Sequence, residues 1–151
     1  MTDNKNYTPL LLKALDGQDL AIIAGLVQDS ILQLSDTKYD KKGNEFVCVL
    51  NRFAWEVNTD KSPYIRTHCA LVFNDVKKVS SQGIDMKQDR MYSLLSAIPS
   101  SDNDGINIFL SFSGGGVMRL SVDKINVVLK DVGDYWETEN RPHHENNEIN
   151  K

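Results

Sequence analysis

The stretch richest in chemical groups is Leu50-Asn51-Arg52-Phe53-Ala54-Trp55-Glu56. Extended as a strand, it puts Arg52 and Glu56 on one face, two alternations apart, and Asn51, Phe53 and Trp55 on the other. An arginine and a carboxylate beside aromatic rings make a rim for a ligand or a partner peptide. A structural reading competes with this one. Phe53 and Trp55 plug the core at a strand end while Arg52 makes an ion pair, and packing alone then accounts for the aromatics. Arg119, inside the later run Val117 to Val122, is a second arginine able to fix an anionic group. Arg52, Trp55, Glu56 and Arg119 are the candidate contact residues.

Other groups carry weaker signals. Gly114-Gly115-Gly116 invites a phosphate-loop reading, but such loops run from a strand into a helix N-terminus with a nearby Lys and Ser or Thr. Here the glycines join two strands, as a wide hairpin or bulge needing positive φ. His68 stands alone in a strand, with no Ser, Asp or Glu at a triad spacing. His143-His144-Glu145 offers metal donors in a polar stretch, too few for a four-ligand zinc site. Asp85, Asp89, Asp102, Asp104, Asp123 and Asp131 fall at expected turns or strand ends, where aspartate is common for structural reasons. Cys48 and Cys69 lie in strand-like runs and read as inert core thiols; a reducing cytosol argues against pairing them. No catalytic set, metal site or cofactor is expected from these residues.

The elements that position these groups follow from the hydropathy pattern. Leu10 to Ala14 reads as a short strand. Asp16-Gly17-Gln18-Asp19 opens a helix, with Asp16 accepting from first-turn N–H groups. Leu20, Ile23 and Val27, flanked by Ile22 and Leu26, form a wide apolar stripe, which implies a helix mostly covered by a sheet and ending near Gln28-Asp29. Everything after reads as β-structure: Ile31 to Tyr39, a hairpin loop at Asp40–Asn44 with Gly43 available for positive φ, then Phe46 to Val57. A Pro-containing loop at Thr59–Pro63 precedes Tyr64 to Phe73, in which Ile65, Cys69, Leu71 and Phe73 share one face. Asn74-Asp75 turns the chain into Val76 to Ile84. Met91 to Ile98 is a strand or a helix turn, and Ser100–Gly105 a turn. Ile106 to Phe112, Val117 to Val122 and Ile125 to Leu129 alternate apolar and polar residues, as antiparallel strands with one wet face do.

Leu71-Val72-Phe73-Asn74-Asp75-Val76 echoes Leu120-Ser121-Val122-Asp123-Lys124-Ile125, and Val79 matches Val128 three residues on. The expected fold class is therefore α+β and mainly antiparallel β. One N-terminal helix packs on two four-stranded meanders, stacked as a sandwich or closed like a barrel.

With 151 residues, 40% of them hydrophobic, the chain has material for a single domain with a true core. The expected division is a flexible N-terminus over residues 1–9, one α+β domain over 10–136, and an acidic, disordered tail over 137–151. Residues 134–151 carry a net charge of −3 out of the chain's −4, so the body is nearly neutral. No apolar run approaches the ~18 residues of a membrane span, and Met1 to Asn6 lacks the order of a secretory signal, which implies a cytoplasmic protein.

The order of motifs resembles a family of short alphaproteobacterial proteins known only as a domain of unknown function, number two-nine-four-eight. The residues that carry the likeness are Leu12 to Leu20, Leu50-Asn51-Arg52-Phe53 with Trp55-Glu56, Gly83-Ile84-Asp85, Leu94-Leu95, and Gly114 to Leu120. Asp131, Gly133 and Trp136, then Arg141-Pro142 and His144, complete it. At residue 82, where the resemblance leads one to expect arginine, this chain has glutamine. The resemblance implies a bacterial cytosolic fold and no particular activity.

The function read from these features is a non-enzymatic binding or assembly module, contacting an unknown protein partner or small ligand near Arg52, Trp55, Glu56 and Arg119. One alternative is a small-ligand-binding or catalytic β-barrel, with an apolar cavity between the meanders and Arg52 or Arg119 fixing an anion. A second is a weak nucleic-acid binder using Lys77-Lys78 with Arg66 and Lys41-Lys42, against which stands the nearly neutral body.

Overall fold

A computed structural model describes residues 6–142 except 59, 86 and 88. The first strand, β1 (Leu11–Ala14), leads into α1 (Gly17–Leu26). Asp16 caps the helix by accepting from the Asp19 N–H at 2.8 Å, satisfying one of its orphan donors. Leu20, Ile23 and Val27 are buried as the stripe requires, whereas Ile22, on the flank, is 60% exposed. The helix thus covers the core with one face only.

The expected strand from Ile31 to Tyr39 is interrupted. β2 (Ser30–Gln33) stops at a one-turn 3-10 helix, Leu34–Asp36, and β3 (Thr37–Asp40) resumes. Side chains cause the break: Asp36 accepts from the Gln33 N–H at 2.8 Å and the Thr37 hydroxyl donates to the Leu34 carbonyl at 2.8 Å. In the next hairpin loop Asn44, rather than Gly43, takes the positive φ.

β4 (Glu45–Phe53) is shorter than expected, because Ala54 leaves the extended conformation and Trp55–Val57 form a turn. β5 (Tyr64–Phe73), β6 (Val76–Gln82), β7 (Met91–Asp102), β8 (Gly105–Phe112), β9 (Val117–Val122) and β10 (Val127–Thr138) follow. Met91 onward is therefore strand throughout. The turn expected over Ser100–Gly105 shrinks to Asn103-Asp104, since Ser100, Ser101 and Asp102 pair with β8.

The described strands form one antiparallel sheet, ordered β1-β10-β5-β4-β2-β7-β8-β9-β6, with β3 beside β4. It does not close into a barrel: β1 and β6 end the order. The chain also departs from two consecutive meanders. β6 pairs with β9 and β10 with β5, so each of the two echoing segments carries the chain from one half of the sheet into the other. Their turns touch: Asn74 N–H donates to the Asn126 carbonyl at 2.9 Å, and Asp123 N–H to the Asp75 carbonyl at 3.0 Å. The repeated motif is thus a pair of crossovers.

The core gathers Leu20 and Ile23 of α1 with Phe46, Leu50, Leu71, Phe73, Leu110, Leu120 and Leu129 from both halves. Between β8 and β9, Gly114 and Gly115 take φ of 84° and 86° in a tight turn, which fits the strand-linking role expected for them. Among the described residues no helix is long and apolar enough to cross a membrane.

Two glycines should respond oppositely to alanine. Gly25 lies in α1 with open space where a Cβ would stand, so Gly25→Ala should raise stability by about 0.5–1 kcal/mol in urea unfolding. Gly83 has φ +75°, and its Cβ would stand 3.1 Å from the Gly115 carbonyl oxygen; Gly83→Ala should cost about 1–3 kcal/mol.

Candidate functional site

Phe46, Cys48 and Leu50 point inward from β4, and Arg52 continues that phase into the interior. From β10, Val127 and Leu129 point inward and Asp131 continues the same phase. The Arg52 guanidinium, fully buried, donates Nε to Asp131 Oδ1 and Nη2 to Asp131 Oδ2, both at 2.8 Å. The turn after β4 returns Glu56 to the same guanidinium, with Nη1 to Oε1 at 2.9 Å and Nη2 to Oε2 at 2.8 Å. Asp131 also accepts from the Leu10 N–H at 2.9 Å and the Tyr7 hydroxyl at 2.7 Å. Tyr7 thereby joins the same cluster.

These contacts set the titration behaviour. Burial by itself would lower the Arg52 pKa, but its hydrogen bonds to and charge interactions with Glu56 and Asp131 reverse the direction, and it is raised. Burial would raise Asp131, and the Arg52 hydrogen bonds, with those of Leu10 and Tyr7, hold it below the usual 3.8. Burial and the neighbouring Asp131 push the Tyr7 hydroxyl up to about 12. The two cysteines are buried and free; burial raises both thiols, Cys69 to about 12, so neither is poised as a nucleophile.

Arg52 therefore has little left for a ligand. Four donated hydrogen bonds go to protein carboxylates, out of the five N–H donors a guanidinium carries. Trp55 lies at the surface, its ring 4.5 Å from that of Phe53 and its Nε1 donating to the Gln28 carbonyl at 2.8 Å. Arg141 sits 5.8 Å over the Trp55 ring and pairs with Asp60 at 3.2 Å. Arg119 is elsewhere. It is exposed on β9, with β2, β7 and β8 lying between it and β4 in the sheet order.

On the outer side of β10, β5, β4 and β2 runs a groove that the sequence did not single out. One part, of about 400 Å³, is lined by Asn51, Arg66, Trp136, Thr138, Asn140 and Arg141, among others. It shares Ile31 and Asn51 with a second hollow of about 290 Å³ that includes His68, Val49 and Met91. An irregularity in β10 between Val132 and Trp136 sets Trp136 opposite Arg66, and the Trp136 ring lies 4.8 Å from that of His68. Arg66 donates Nη1 to the Asn51 carbonyl at 3.0 Å and to its Oδ1 at 2.9 Å, and lies 5.6 Å from the Phe53 ring centre. It is only 9% exposed, and among the described residues no carboxylate lies within ion-pair distance of it. Burial lowers its pKa, opposed by the charge of Asp29.

A family model described as "Protein of unknown function (DUF2948)" matches residues 10–144. The chain belongs to that family. No curated protein and no solved structure matches it. Of the residues that carried the resemblance, Glu56 and Asp131 hold the buried Arg52 guanidinium, while Asn51, Trp136, Arg141 and Pro142 line the groove beside it.

Other expected groups stay apart. Lys77 pairs with Asp123 at 3.3 Å on β6, at the far end of the sheet order from β5, so it forms no patch with Arg66. An apolar hollow beneath Leu32, Ile84, Phe112 and Met118 holds only about 10 Å³, too little for a ligand. No group of three or more His, Cys, Asp or Glu that could hold a metal occurs among the described residues. His143, His144 and Glu145 lie outside those residues.

Arg52→Met leaves Asp131 buried without its cation and should cost about 3–5 kcal/mol in chemical unfolding. Glu56→Gln should cost about 1 kcal/mol, since its side chain keeps 23% exposure and a hydrogen-bonding oxygen. Because Asp131 titrates below its ordinary value, the unfolded chain takes up the proton first as the pH falls. The stabilisation is complete above that ordinary value of 3.8 and is lost on acidification through the native pKa. Unfolding curves from neutral pH downward should show this loss in the wild type and a shallower one in Asp131→Asn.

Proposed function

We propose that this protein is a non-enzymatic binding module whose contact site is the outer groove, and that its partner is a protein presenting an acidic, extended segment. Arg66 carries this reading. A buried guanidinium with no carboxylate at ion-pair distance among the described residues, acted on only by the more distant charge of Asp29, retains a cost of desolvation that an incoming carboxylate offsets, and its planar fork suits bidentate capture. Asn51, Thr138 and Asn140 supply hydrogen-bonding groups, Trp136 a broad apolar surface, and Arg141 a second cation at the rim. The two hollows share Ile31 and Asn51 in their linings and so lie side by side, an arrangement that fits an extended peptide better than a compact ligand. Arg52, Trp55 and Glu56 serve the site by fixing the end of β4 and the turn beneath Arg141.

A blocked peptide of alternating glutamate and valine, titrated into the full chain, tests this. The expected result is saturable quenching of Trp136, assigned with a Trp136→Phe variant, and amide shifts at Asn51 and His68. Arg66→Gln should weaken binding by about tenfold or more, as loss of a charged hydrogen bond implies, and Arg141→Ala less, being at the rim. Binding that ignores Arg66→Gln while the variant keeps its melting temperature, or no saturable binding of the peptide, would overturn the reading.

A further inference from the structure

The other half of the sheet carries a second, chemically different outer face. Direct cross-strand partners place Phe109, Arg119 and Ser80 in one row over β8, β9 and β6, and Ser111, Val117 and Gln82 in the next. A third row sets Asn107 and Ser121 beside Lys78. Side chains in register on one face are neighbours, and these three rows hold two cations and no carboxylate.

Arg119 is held in place within this face. Its Nε donates to Asn107 Oδ1 at 3.0 Å, and the Ser121 hydroxyl donates to the same oxygen at 3.0 Å. Asn107 is itself 5% exposed, so its amide is a fixed anchor. This arrangement spends the single Nε–H, and among the described residues the two terminal nitrogens stand as an open fork. Around that fork lies a hollow of about 230 Å³ lined by Ser80, Ser81, Gln82, Phe109, Val117 and Arg119.

We propose that this hollow binds the phosphate group of a small phosphomonoester. A phosphomonoester presents three acceptor oxygens and close to two negative charges. The guanidinium fork meets two oxygens, the hydroxyl of Ser80 and the amide of Gln82 are placed for the third, and Lys78 adds a second positive charge one row away. Phe109 and Val117 give an apolar wall for the carbon attached to the ester oxygen. The volume lies below the ~300 Å³ at which pockets for drug-sized ligands begin, so the hollow takes a head group rather than a whole cofactor. This site is distinct from the Arg66 groove: Arg119 stands on β9 and Arg66 on β5, with β4, β2, β7 and β8 between them in the sheet order, and the two hollows share no lining residue.

The test is heteronuclear NMR on the full chain, titrated separately with inorganic phosphate, glycerol 3-phosphate and glycerol. Saturable shifts are expected at the Arg119 Nε–H and at the backbone amides of Ser80, Gln82 and Val117. Glycerol 3-phosphate should bind more tightly than phosphate, and glycerol not at all. Arg119→Gln should weaken the ester by about tenfold or more without moving the melting temperature, since the side chain is exposed; Arg66→Gln should leave the affinity unchanged. No saturable shift with either phosphate probe, or equal shifts in Arg119→Gln, would overturn the proposal. So would a single-stranded oligonucleotide that occupies these residues while glycerol 3-phosphate does not.

Discussion

The interior of this protein depends on a single cation held between two carboxylates. Burying a guanidinium is expensive unless nearly every donor is met, and Arg52 meets the requirement only when three separate pieces of chain arrive together. β4 supplies the arginine, β10 supplies Asp131, and the turn after β4 must fold back to bring Glu56. Asp131 then recruits Tyr7 and Leu10, so the segment leading into β1 is placed by the same cluster. Two carboxylates against one guanidinium leave a local excess of negative charge, which the Tyr7 hydroxyl and the Leu10 N–H help to offset.

The crossovers have a comparable role on a larger scale. If β5 and β6 formed a simple hairpin, and β9 and β10 another, each half of the sheet could fold alone. Instead each half receives a strand from the other, and their turns hydrogen-bond to one another. The inward residues of both halves therefore belong to one core, and the two outer faces are held on a common support. Relative displacement of the two faces would require breaking β-ladder hydrogen bonds.

Period-two alternation made most of the strands legible, and the Asp16 cap with the Leu20, Ile23 and Val27 stripe made the helix so. Pairing across the crossovers was not legible, because the echo shows two similar segments without saying which ladder each one enters. The strand break at Leu34 was hidden in Asp36 and Thr37, whose side-chain bonds to the backbone leave no mark in hydropathy. Asp131 sits among several aspartates at expected turns and strand ends, yet its phase carries a signal. Val127 and Leu129 face inward, and the next residue in phase is 131, so an aspartate there demands a buried cation. The same phase through Phe46, Cys48 and Leu50 predicts that Arg52 is that cation. The groove was illegible for a different reason: Asn51, Arg66, Trp136 and Arg141 come from three separate segments, and the irregularity in β10 that sets Trp136 opposite Arg66 has no periodic signature.

Arg52, Arg66 and Arg119 share one side chain and meet three different fates, and the comparison separates architecture from recognition. Arg52 is buried and its charge is answered twice within the chain, so its free energy is committed to folding. Arg119 is exposed, solvated and oriented through its Nε, so an anion there gains fork geometry at little cost in side-chain order. Arg66 lies between these limits. It is mostly buried, though less so than the core, and among the described residues its hydrogen bonds go to the neutral Asn51 alone, with an aromatic ring beneath. Folding tolerates such a residue only if other contacts outweigh it, and the fully answered cluster beneath the same strand contributes to that balance. A carboxylate delivered from outside would meet an ordered, partly dehydrated donor, the condition under which a charged hydrogen bond contributes most to affinity.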